Sequence, residues 1–343
     1  MRLLLIFLSF CCAVRAQIIT PLDGHTAESL RGVHAVDDKV VWASGTHGTY
    51  LRTVDGGFNW APAQVPGAEE LDFRDVAAFS ADEAYLLAAG PGEKSRIYKT
   101  SDAGQHWALQ FTNNDPKGFY DCFGFWDHDH GIAIGDPVDG RFELLATEDG
   151  GAHWTALPQA SRPEAKPKEG AFAASGTCLT VEGSSNVWFA TGGSVARVFR
   201  SRDRGRSWRV VETKMVHGAD ASGIFSIAFR DAKHGLIAGG DYQNPDTDSP
   251  NLAASSDGGA TWQILPVHPQ FYFSAVNFVG AKSREYLAVG STHGITGNLK
   301  SNELPRIFPV TLNAFSAGGP SKVFAVGPKG TIILILLNGF HKR

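Results

Sequence analysis

Acidic side chains recurring at a fixed spacing are the first candidates for chemistry in this chain, because carboxylates serve general acid–base catalysis and bind hard cations. Asp55, Asp102, Asp149, Asp203 and Asp257 stand 47, 47, 54 and 54 residues apart. Each sits in the pattern Ser/Thr-x-Asp-x-Gly-x-x-Trp, closed by Trp60, Trp107, Trp154, Trp208 or Trp262. A motif repeated five times is a poor catalyst and a good building part. A carboxylate at a hairpin turn accepts hydrogen bonds from the turn's N–H groups, and glycine supplies positive φ. The tryptophan is expected to pack the turn against its own repeat unit. These ten residues are therefore assigned to structure.

Two other acidic clusters suggest metals. Asp127-His128-Asp129-His130 has metal-ligand residue types, but Asp231-Ala232-Lys233-His234 repeats its Asp-x-x-His-Gly shape without the extra ligands. A recurring turn explains both, and no metal or other cofactor is assigned. Asn244, Asp246 and Asp248 offer oxygen ligands for calcium but lack the spacing and glycine of an EF-hand loop.

The elements that must position any site are repeats. Upstream of each box an apolar alternating run, a polar turn and a second apolar run ending in Gly recur, seven times in all, from VHAVDDKVVWASG at Val33 to AFSAGGPSKVFAVG at Ala314. The last two units have lost the box. Units of about 47 residues with four short strands and no helical period predict an all-β, seven-bladed propeller of four-stranded antiparallel blades. The seventh unit has no room for a fourth strand, so the segment from Gln17 to Pro21 is expected to supply it and close the ring.

Composition agrees with this class. With 39 Gly and 17 Pro the chain is no helical bundle, and 43% hydrophobic residues suffice for a large core. A net charge of −4 gives no nucleic-acid footprint. Residues 1–16 read as a secretory signal: Arg2, an apolar run, then Val14-Arg15-Ala16. The expectation is a periplasmic or secreted monomer, residues 17–343, without a transmembrane segment in the mature chain. Removal of the signal leaves Cys122 and Cys178, at equivalent positions in adjacent units; whether they are bonded stays open at this point.

The boxes resemble the Asp-box, or bacterial neuraminidase repeat, of sialidases and related propellers. The layout that opens with SLRGVHAVDDKVVWASGTHGTYLRTVDGG and closes with VFAVGPKGTI resembles the photosystem II stability/assembly factor family and its non-photosynthetic bacterial relatives. That resemblance implies a propeller acting as an assembly or binding factor without known chemistry.

Function is expected where the repeat is broken. In a propeller, the loop between strands two and three and the loop between blades share one face, opposite the box turns. The excess length lies there: Ser161–Gly170 with Lys168 and Glu169, and Asp241–Asn251 with Asp241 and Tyr242, beside Gly135–Arg141 with Asp136, Asp139 and Arg141. Arg31 and Arg74 share a register at the start of neighbouring innermost strands and suit a carboxylate or phosphate on a partner; alternatively Asp75 and Asp121 neutralise them. The reading is a noncatalytic propeller that binds a protein or glycan partner. The alternative is a sialidase-type glycoside hydrolase, but that resemblance implies six blades, three arginines and a Tyr–Glu pair, and the Phe-Arg-Ile-Pro segment is absent.

Overall fold

A computed structural model describes residues 18–268, 270–279, 284–301 and 304–337; the proposed signal segment and Gln17 lie outside them. The regular secondary structure of the described residues is strand throughout except for two 3₁₀ turns, Gly92–Lys94 and Gln159–Ser161. Seven antiparallel sheets follow one another. Their innermost strands are Leu30–Ala35, Phe73–Ala78, Tyr120–Phe125, Leu179–Glu182, Ser222–Phe229, Ala275–Phe278 and Ala314–Ala317.

Burial along each blade follows from its position between two others. The second strand of blade one, Val41–Gly45, is buried at every residue, because neighbouring blades cover both faces of its sheet. The outermost, Ala61–Gln64, is exposed throughout. The core is therefore a ring of seven inter-blade clusters. In one of these, Leu30, Val41, Leu51 and Trp60 of blade one pack on Phe324, Val326 and Ile332 of blade seven.

The ring closes as predicted. Ile18–Leu22 is the outer strand of blade seven, antiparallel to Ile332–Leu336, with Leu22 opposite Ile332. Blade six, which lacks a box, still forms four strands, the last being Arg306–Pro309.

The five box turns have one geometry. In the first, Asp55 Oδ1 accepts from the Thr53 hydroxyl and from the backbone N–H of Asn59. Equivalent bonds reach His106, His153, Ser207 and Thr261 from Asp102, Asp149, Asp203 and Asp257. The tryptophans, however, do not pack only within their own blades. Trp107 of blade two meets Tyr50 of blade one edge-on at 5.0 Å, and Trp262 of blade five meets Phe229 while lying in the cluster shared with Trp188 of blade four. Each of these tryptophans belongs to a cluster formed between its own blade and the preceding one.

Asp127 and Asp231 cap matching turns, each accepting from the backbone N–H groups two and three residues on and from its histidine. Cys122, in the innermost strand of blade three, forms a disulfide with Cys178, the residue before the innermost strand of blade four, Cα–Cα 6.1 Å.

Candidate functional site

The box turns bond to the first turn of their own blade, Gly56 N–H to the Lys39 carbonyl and Gly150 N–H to that of Asp129, which places both turns on one face. The loops between second and third strands, and those between blades, lie on the other. There they enclose an open cavity of about 1230 Å³ at the channel mouth, lined from every blade, with Arg31 from blade one and Asn313 from blade seven.

The long connection between blades three and four does not project outward. It folds across the mouth as a strap. Ala171 N–H donates to Asp136 Oδ1 (3.0 Å), and Arg74 Nη1 donates to the Ala173 carbonyl (3.0 Å). Phe172 stacks on Phe225 of blade five at 3.8 Å, and the Ser175 hydroxyl donates to the Ser274 carbonyl of blade six. The base of the strap is fixed by a buried ion pair: Arg197 Nε donates to Glu169 Oε1 at 2.8 Å, and Arg197 Nη2 to Glu169 Oε2. Both side chains are nearly inaccessible. Glu169–Gly170 pairs with Gly192–Gly193, and Gly192 with Gly223, extending the sheet of blade five. That contact needs glycine: a Cβ on Gly223 lies 2.2 Å from the Gly192 Cα.

The sequence-derived candidates divide on this geometry. Arg31, Arg74, Asp136, Lys168, Glu169 and Tyr242 line the cavity. Asp139 pairs with Lys117 at 3.2 Å. Arg141 is held by Glu164 and the Arg162 carbonyl beside a separate cavity of about 480 Å³. Asp241 caps its own loop, accepting from Gln243, and also from the backbone and side chain of Asn244. Glu169, although at the cavity wall, is committed to Arg197.

The pairing of both arginines with Asp75 and Asp121 does not occur. Arg74 Nε bonds Asp72 Oδ2 at 2.8 Å. Asp75 instead joins the inner strands of blades two and three, accepting from Phe123 N–H and Val76 N–H. A register shift after Phe73 turns Asp75 into the sheet. Asp246 and Asp248 serve the local fold: Asp246 accepts from the Thr292 hydroxyl and Asp248 from Gln270 N–H.

Electrostatics at the mouth follow from burial. Asp121 is 1% exposed, and its carboxyl is pushed well above the usual range by burial and by the charge of Asp136, with Arg74 opposing. Burial raises Asp136 to about 6. Arg31 is shifted down by burial and by the neighbouring charge of Arg74. Burial raises the Tyr272 phenol, Arg31 opposing.

The sequence missed the Asp121–Asp136 proximity and, Tyr242 apart, the aromatic wall. Tyr272 meets Phe225 edge-on at 4.9 Å and Tyr242 meets it at 6.1 Å. Of the residues missed, Phe172 carried a signal, as the lone large residue in a run of small ones between two blades.

Comparison with known proteins agrees with the fold and narrows the relationship only locally. No protein-family profile matches the chain. Over 66 residues it is 36% identical to photosystem II stability/assembly factor HCF136, chloroplastic, of Arabidopsis thaliana. The similarity is local. It spans 18% of this chain and 15% of that protein. Among solved structures, U3-55K superposes with a TM-score of 0.65 at 12% identity, over 93% of this chain and 98% of that one. YCF48 bound to D1 peptide is 16% identical with a TM-score of 0.44, over 93% and 97%.

Proposed function

We propose that the protein is an assembly-factor-like, noncatalytic propeller that takes a protein partner into the mouth on its loop face. The observation that carries this reading is the convergence of loops from all seven blades on one open cavity bearing both charge signs and an aromatic wall. Sites for partners are grafted on loops held by a rigid scaffold. The opposite face is spent on itself, since its box aspartates all bond within their own turns. The local similarity to a photosystem II assembly factor supports the same reading.

An exported location, periplasmic or secreted, accompanies the proposal. It is supported by the apolar, Arg-led N-terminus and by the Cys122–Cys178 disulfide, which suits an oxidising compartment. A sialidase-type hydrolase is disfavoured: Arg31 and Arg74 are the only arginines lining the mouth among the described residues, and Glu169 is neutralised by Arg197.

The test is affinity capture from an envelope extract of the host, using wild type, Arg31→Ala/Arg74→Ala and the box-face variant Asp203→Ala, each first shown to be folded and monomeric. A protein recovered by wild type and Asp203→Ala but lost with the double variant is the expected result. Equal recovery by all three overturns the assignment of the face, and release of sialic acid or glucan by the purified protein overturns the noncatalytic reading.

A further inference from the structure

Two buried polar atoms of opposite character at the channel mouth have no partner in the protein. Asp121 Oδ2 is an acceptor without a donor, and Arg31 Nε is a donor without an acceptor. Both residues line the same cavity. Native proteins keep few such atoms, because each forfeits hydration without gaining a bond.

The surroundings of each orphan indicate what satisfies it. Asp121 lies beside Asp136 and faces the Ala173 backbone of the strap, so the acceptor side is a pair of carboxyl groups. Arg31 lies beside Arg74 and Asp72, so the donor side is a pair of guanidiniums with one carboxylate already against it; Arg74 reaches both that carboxylate and the strap, and Asp72 Oδ1 is left without a partner. Arg31, Arg74 and Asp121 line one cavity, with Arg74 near both of the others, so the two poles belong to one site. A simple anion satisfies only the arginines and a simple amine only the carboxylates. A group with ammonium and carboxylate on one carbon satisfies both.

The wall adds a third requirement. Phe172, half-buried, and Tyr242, 50% exposed, face the cavity, backed by the buried Phe225 and Tyr272. Such a surface takes an aromatic or large apolar side chain.

We propose that the mouth carries a small-molecule site for an α-amino acid with an aromatic side chain, its ammonium taken by Asp121 and Asp136 and its carboxylate by Arg31 and Arg74. The site goes beyond the partner-binding reading and does not depend on a macromolecule.

Titration calorimetry with the full folded chain decides it. L-Phenylalanine is compared with 3-phenylpropionate, which lacks the ammonium, and with phenethylamine, which lacks the carboxylate. L-Phenylalanine is expected to bind, and each single-ended analogue to bind at least about tenfold more weakly, the effect of losing one charge-assisted hydrogen bond. Asp121→Asn is expected to reduce L-phenylalanine to the level of 3-phenylpropionate, and Arg31→Gln to that of phenethylamine. No heat with L-phenylalanine at millimolar concentration means that water alone occupies the site and overturns the proposal. Equal binding of L-phenylalanine and either analogue to wild type also overturns it, and this arm needs no variant to fold. Capture of a protein partner by the wild type is read separately, so either assignment can fail alone.

Discussion

Leu22 stands opposite Ile332 in one antiparallel ladder, so residues more than 300 positions apart share the blade that closes the ring. A propeller lacking this strand leaves the edge of Ile332–Leu336 unpaired and uncovers a cluster that includes Trp60 and Phe324. Removal of residues 17–22 is expected to lower the unfolding free energy by on the order of 3 kcal/mol, from the ladder bonds to Ile332–Leu336 left unmade and from Leu22 and the apolar surface it covers returned to water. Denaturant unfolding of the truncated chain measures it, and an unchanged midpoint contradicts closure by this strand.

The box tryptophans fasten one blade to the next. Trp60 is 4% exposed and packs with Phe324 and Ile332 of blade seven. Trp60→Ala should cost about 3–5 kcal/mol, the range for deleting a large buried aromatic. Partner capture by the surviving folded fraction should persist. A loss below 1 kcal/mol would show that the inter-blade contact contributes little.

The disulfide ties blades three and four across 56 residues of sequence. In the chain-entropy account a loop of that size stabilises by about 4 kcal/mol. Cys122→Ser/Cys178→Ser, measured against wild type with and without reductant, should lose a comparable amount in the non-reducing arm. Identical stability of variant and oxidised wild type is the contrary outcome.

The repeat was legible in the sequence because its units each carry the same local signals: a polar turn, an alternating run, and a glycine that accepts positive φ. The faces were legible too, since antiparallel connectivity alone sends box turns to one side and inter-blade loops to the other. Tertiary placement was not. Whether Trp107 leans on its own sheet or on Tyr50 depends on inter-blade twist, which no local pattern records. Asp121 takes the skipped position that Arg31 and Arg74 hold in blades one and two and is met by the strap, whereas Asp75 lies one residue on, opposite Leu87, and is taken by Phe123. The length of Ser161–Gly170 marked an insertion, but its inward fold rests on Glu169 meeting Arg197, 28 residues ahead.

Stability should vary with pH in two opposed windows. Asp102, Asp149, Asp231 and Asp257 are held near 2, Asp149 mainly by the His153 side chain, Asp102 by the His106 backbone, and Asp231 and Asp257 by turn hydrogen bonds that outweigh burial. A carboxyl depressed in the folded state stabilises above its unfolded value and loses that contribution as pH falls from about 4 toward 2. Asp136 behaves oppositely: raised by burial to about 6, it favours the folded state increasingly as pH falls through 6. Thermal unfolding should therefore rise slightly from pH 7 to 5 and fall below 4. Asp136→Asn should reduce the first limb, the part carried by the buried Asp121 and Asp75 carboxyls remaining, and leave the second, and an unaltered profile in that variant contradicts the assignment.

The ion pair beneath the strap gives the sharpest separation of scaffold from site. Glu169 and Arg197 are 5% and 6% exposed, and the Thr191 hydroxyl also donates to Glu169 Oε1. Removing one charge of a buried pair leaves the other uncompensated, at a cost of about 3–5 kcal/mol. Glu169→Gln keeps the shape and an acceptor but strands the Arg197 charge, so the loss should fall within that range. Because Glu169 starts the segment that continues to Ala171 and Ala173, the strap contacts with Asp136 and Arg74 should loosen together. Hydrogen exchange at Ala171 and Ala173 should then accelerate well beyond exchange in the strands of blade one. Uniform acceleration throughout the ring would indicate global destabilisation and no specific anchoring of the strap, whereas unchanged exchange at both amides would place the anchor in the Phe172–Phe225 stack instead.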